Sequence, residues 1–108
     1  MKLVKLVKYL INPKLLDKLY QDLGVNTESE ALLIYLKGSL DLETDVFIFE
    51  IEETEDDLVF EKEGIKYIQL FPVDYSVELI EFDLDLKNKG YSDLEIAQRL
   101  LEYRKRDA

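Results

Sequence analysis

Three runs between residues 46 and 71 constrain the fold more than anything else in the chain. VFIFEI at 46 to 51, LVFEK at 58 to 62 and IKYIQLF at 65 to 71 concentrate β-branched and aromatic residues, and residues of that kind favour a pleated, half-buried surface. Acidic or glycine-containing gaps at Glu53 to Asp57 and Glu63-Gly64 divide them, and gaps that short turn the chain straight back, which predicts an antiparallel meander. Within the first run Phe47, Phe49 and Ile51 share one face, while Val46, Ile48, Glu50 and Glu52 share the other. That second face starts apolar and ends acidic, so the strand is expected to leave the core at its far end.

The flanking thirds read as mainly helical. Asn12-Pro13 is a natural helix start, Leu15, Leu16, Leu19 and Leu23 follow at helical spacing, and Gly24 supplies a stop, predicting a helix over 13 to 23. Thr27 and Glu30 form a capping-box pair ahead of EALLIYLK, which predicts a second, deeply packed helix ending at Gly38. The segment from Tyr75 to Gly90 fits two patterns. Ile80, Phe82, Leu84 and Leu86 alternate as in a strand, yet Tyr75, Leu79, Phe82 and Leu86 also line one helical face. Pro72 as a start, Asp74 as a cap and Asn88 to Gly90 as a stop favour the helix.

A final helix is predicted from Ser92, with Glu95 as its capping-box partner, an inner face of Leu94, Ala97, Leu100 and Leu101, and Arg104, Lys105 and Arg106 at the negative end of its dipole. The opening MKLVKLVKYLI is expected to add a strand beside the meander. The sum is an α+β fold: one domain over 1–108, with an antiparallel three- to four-stranded meander and N-terminal and C-terminal helices packed on one face.

A length of 108 residues allows one core burying about 65% of the unfolded surface and is too short for two domains. The chain contains no Cys and no His. That removes disulfides, thiolate nucleophiles, the commonest general base and the commonest transition-metal ligands, so no cofactor and no metal is expected. Lys2, Lys5 and Lys8 interrupt the apolar opening, and no run approaches the roughly 20 apolar residues of a membrane span. A cytoplasmic protein is the expectation.

Charge is segregated along the chain. Residues 41 to 85 hold sixteen acids against Lys62 and Lys66, while the chain as a whole carries −10. A stretch this acidic repels phosphate and anionic lipid and attracts basic partners.

Three motifs compete for a functional reading. Leu86, Gly90, Tyr91, Ser92, Glu95, Ile96, Ala97 and Leu100 resemble the first part of a helix-turn-helix unit. Such a unit needs a recognition helix after its second turn, and only eight residues follow Leu100. DNA contact through Arg99, Arg104, Lys105 and Arg106 would work against the net charge, so nucleic acid is not the expected partner. DLDLKNKGYSDLE places Gly90 like the glycine of a calcium loop, but Lys87 and Lys89 would occupy two ligand positions and Ile96 the bidentate one, which excludes it. Asp74 followed by Asp85 and Lys87 resembles the acid and Asp-x-Lys set of some nucleases, whose acids sit on adjoining strands rather than on one helix. No nucleophile elbow, phosphate loop or metal-ligand spacing accompanies these residues.

The expected function is therefore non-enzymatic: a small acidic interaction domain docking a basic protein. By composition alone it is similar to immunity proteins, antitoxins, inhibitors and nucleic-acid mimics. The expected docking residues are Glu50, Glu52, Glu53, Glu55, Asp56 and Asp57 of the first gap and Glu78, Glu81, Asp83 and Asp85 further on, with Tyr67 and Tyr75 as apolar anchors. The alternative is an adaptor or housekeeping domain whose acidity only solubilises it.

Overall fold

In the computed structural model, residues 1–106 are described. The chain begins with α1 (Leu3–Ile11), and a 3₁₀ turn at Pro13–Leu15 leads into α2 (Leu16–Leu23). Strands β1 (Leu32–Lys37) and β2 (Val46–Glu50) follow, then the single turn α3 (Ile51–Thr54), β3 (Val59–Lys62) and β4 (Ile65–Pro72). Helix α4 (Val73–Glu78) runs on as a π-turn at Leu79–Asp83, and a 3₁₀ turn at Lys87–Lys89 precedes α5 (Asp93–Arg106). The α+β class, the four-stranded antiparallel sheet and the terminal helices packed on it are as the sequence predicts.

Two elements exchange their expected identities. The opening segment is helix α1, not an added strand: Leu3, Leu6, Val7 and Leu10 are buried at helical spacing while Lys2, Lys5 and Lys8 stay exposed. A lysine at every third position marks the wet stripe of a helix, and a strand would have thrown alternate lysines inward. Among the described residues its strand-like trace is the isolated bridge between Lys2 and Asp45. Conversely, residues 32–37 form a strand where a helix was expected. Burial there is nearly continuous, because Ile34 and Leu36 face the helices while Leu33 and Tyr35 face away. A strand covered on both sides reads as an unbroken apolar run, which periodicity alone does not separate from a buried helix.

That exchange sets the topology. The sheet order is β2-β1-β4-β3, so two hairpins meet through the β1–β4 pair, with a register shift between Leu33 and Tyr35. The connection from β2 to β3 must therefore travel from one edge of the sheet to the other.

The helices cover one face. Ile34, Leu36, Val46, Ile48 and Leu70 of the sheet pack there with Leu3, Leu6, Val7 and Leu10 of α1 and Ile96, Ala97, Leu100 and Leu101 of α5. The predicted capping box holds α5: the Glu95 N–H donates to Ser92 Oγ, and the Ser92 N–H donates to Glu95 Oε1, both at 3.2 Å. Leu94, expected inside, is exposed, and Ile96 takes its place. Phe82, expected on the inner side of its helix, is 71% exposed. The extra residue of the π-turn, closed by the Leu84 N–H on Leu79 O at 2.9 Å, rotates the chain so that Leu79 and Ile80 are buried and Phe82 points out.

Candidate docking surface

The opposite face of the sheet carries no helix longer than the single turn α3, but it is not bare. Leu33 and Tyr35 of β1, Phe47 and Phe49 of β2, Phe60 of β3 and Tyr67 of β4 form an aromatic cluster on it. Phe49 and Phe60 sit on opposite edge strands, yet their ring centroids are 5.3 Å apart in an edge-to-face arrangement. Two strands lie between them, so the sheet curls toward this face and the rings fill the curl. Phe47 is the most exposed ring of the group, whereas Tyr67 is only 8% exposed.

The acidic connection, residues 51–58, lies across one end of this curl as a strap rather than as the tip of a hairpin. Buried polar groups tie it down. The Tyr35 hydroxyl donates to Asp57 O at 2.6 Å, and Gln69 Nε2 donates to Asp56 Oδ1 at 3.1 Å and to the Tyr35 hydroxyl at 3.2 Å. Gln69 and Thr54 are both buried, and polar groups in that position need the partners the strap brings. Glu55 and Asp56 are consecutive residues in the left-handed region, at φ 53° and 60°. For residues with a Cβ this conformation is unfavourable, and the surrounding bonds hold it in place.

Two carboxylates fasten the start of the strap. Glu52 accepts from Ser29 Oγ at 2.5 Å and from the Glu30 N–H at 3.0 Å, and these two bonds hold its carboxyl below the usual range. Thus Ser29 and Glu30, part of the segment expected to start a helix, instead catch the strap. Glu53 pairs with Lys62 at 2.5 Å, and Lys62 Nζ lies 5.6 Å from the centre of the Phe49 ring. The bond and charge of Glu53 raise the Lys62 ammonium pKa above its ordinary value. The pair closes the rim of the aromatic curl like a latch.

The docking residues expected from the sequence fall into two groups. Glu50 ends β2, and Glu52, Glu53, Glu55, Asp56 and Asp57 belong to the strap, beside the cluster containing Tyr67. Tyr75 is half-buried on α4, its ring 5.3 Å from Phe71, within the helix-covered layer. Glu78, Glu81, Asp83 and Asp85 follow it along the π-turn and the loop beyond, where Glu81 lies 3.9 Å from Lys87 and Asp85 accepts from Asn88 Nδ2. Apart from Glu50, which shares the helix-covered face with Val46 and Ile48, the structure gathers the first group around one aromatic face and leaves the second elsewhere. Phe47, Phe49 and Phe60 were not singled out as docking residues, although the alternation in VFIFEI marked two of them as sharing a face.

The tail cations are divided as well. Arg104 is 9% exposed and its Nε donates to Gln69 O at 3.0 Å. It is therefore a structural residue supporting β4, and only Arg99, Lys105 and Arg106 of the candidate DNA-contacting set stand exposed on α5. Asp74 lies on α4 and Asp85 and Lys87 in the loop after it, so the nuclease-like set has no adjoining strands. Among the described residues no three acids converge as a metal site would require, and no helix is long and apolar enough to cross a membrane. Comparison with protein-family models, with curated proteins and with solved structures finds no match.

Proposed function

We propose that this chain is a non-enzymatic docking domain that holds a basic protein against its strap and aromatic face. One observation carries the reading. The strap's backbone is bound into the fold through Tyr35 and Gln69, while the side chains of Glu55 and Asp57 remain exposed and unpaired among the described residues, next to rings that no helix covers. A rigid backbone presenting charge costs little entropy on binding, aromatic surface supplies contact area, and the acids steer a cationic partner into place.

The test is capture from a native cell extract at low and moderate salt, with both protein and nucleic acid identified. A basic protein retained by the parent chain should be lost from the Glu55→Gln, Asp57→Asn double variant and from Phe47→Ser. Its retention should weaken as salt screens the field over about 10 Å. Retention of DNA through α5, or of a protein indifferent to all three changes, overturns the reading.

A further inference from the structure

The two edges of the sheet are treated differently. At the β2 edge the chain protects itself: the Val46 N–H donates to Met1 O at 2.7 Å, Lys2 bridges Asp45, and Lys2 Nζ reaches Glu43 O at 2.6 Å. At the β3 edge nothing comparable is present among the described residues. The Gln69 N–H donates to Leu58 O at 2.9 Å, which fixes the phase of the ladder. Phe60 with Tyr67 and Lys62 with Ile65 are then the pairs that exchange bonds. In an antiparallel ladder the residues between them turn their N–H and C=O outward, so Val59 and Glu61 present an unpaired row at the open edge.

The side chains there are also unusual for an edge. Leu58 and Val59 are 61% and 56% exposed, two adjacent large apolar residues. Sheet edges are ordinarily blunted because a bare, apolar edge recruits another strand. The charges around this one are mainly acidic: Asp56 and Asp57 precede it, and Glu61 and Glu63 lie on it and beyond it, against Lys62, which Glu53 already holds, and Lys66, which stands opposite Glu61 on β4.

We propose that the outer edge of β3 takes up an extended basic segment of the partner as a fifth strand. The inference rests on the docking reading above and deepens it. Backbone bonds to Val59 and Glu61 supply the pairing, alternate apolar side chains of the incoming strand cover Leu58 and Phe60, and its cations meet Glu61, Glu63 and Asp57. A second copy of this chain is the poorer occupant, because pairing the edge with itself sets Asp57 against Glu63 and brings together two bodies of charge −10.

The probe is a capped hexapeptide alternating lysine and valine, titrated into isotopically labelled full-length protein. The amides of Val59 and Glu61 should shift and gain exchange protection. Methylating the peptide's backbone nitrogens at alternate positions, in both phases, should weaken binding at least tenfold in one phase, and a glutamate–valine peptide should not bind. Val59→Pro removes an outward N–H and no ladder bond, so it should abolish the effect while far-ultraviolet dichroism stays unchanged. Absence of shifts at millimolar peptide, equal binding of both methylated forms, or equal binding of the acidic peptide overturns the proposal. So does concentration-dependent dimerisation that perturbs the same two amides. If a captured basic partner binds Val59→Pro as well as the parent, the edge is not its site, and the docking reading stands without it.

Discussion

The two faces of the sheet solve the same burial problem with different materials. On the helix side the closure is aliphatic and interlocking: Leu, Ile and Val from four helices and three strands meet with almost no polar atoms between them. The buried hydroxyl of Ser76 lacks a partner there among the described residues. On the strap side the closure is eight residues long, and polar bonds from Tyr35, Gln69, Ser29 and Lys62 hold it over a layer of rings. An aliphatic interface loses contacts everywhere when any part opens, whereas a strap fastened at discrete points opens locally. The strap side is accordingly the face that opens by parts, and the helix side is the face that makes the fold.

The sharpest way to break this contrast is to damage both sides equally and compare the response. Leu36→Ala, on the helix side, should cost about 3 kcal/mol and lower the protection of every slowly exchanging amide together. Gln69→Leu should cost about 1 to 3 kcal/mol, since it strips the donors that hold Asp56 and Tyr35. Its exchange signature should be confined to residues 54–58. Global loss of protection in Gln69→Leu would show that the faces are one cooperative unit. A smaller effect of opposite sign is expected at Glu55, whose left-handed backbone suits glycine better than any residue with a Cβ. Glu55→Gly should stabilise by about 0.5 kcal/mol, measured by denaturant midpoint, after the greater freedom of glycine in the unfolded chain is offset.

The pH response sharpens the comparison further. The carboxyl of Glu52 lies below its ordinary value through Ser29 and Glu30, so the folded state binds its proton more weakly than the unfolded state does. Stability from this contact is complete above the unfolded pKa and falls away as pH drops through the folded one. Glu52→Gln should therefore differ from the parent at neutral pH and converge with it in acid, with the strap amides reporting the change and the α1 amides silent.

Much of this architecture could be read from local chemistry. The helix from Pro13 to Leu23, the strands around Phe47, Phe60 and Leu70, and the Ser92–Glu95 cap each declare themselves through a period, a turn or a capping pair. What could not be read was position within the sheet. ALLIYLK looks apolar in every direction because β1 is central and buried on both faces, and MKLVKLV looks equivocal because nine residues of helix hold only two full turns of pattern. Once β1 is placed between the other strands, the gap at 53 to 57 stops being a hairpin turn. The acids were visible as a cluster, but their attachment to Ser29, Tyr35 and Gln69 depends on pairings that no local window contains.

The edge-to-edge course of the strap also orders events in time. Residues 51–58 have nothing to lie across until β1 and β4 have joined, because their anchors Tyr35 and Gln69 stand on those two strands. Each hairpin forms from neighbours in the chain, whereas the central pairing needs both hairpins first. Strap closure is then expected as the last step of assembly, beyond the folding barrier. Substitutions in the strap should change how fast the protein unfolds and leave its folding rate untouched, while substitutions at the β1–β4 seam should slow folding itself. A mixing experiment that resolves the two limbs of the chevron separates the strap from the seam by rate alone.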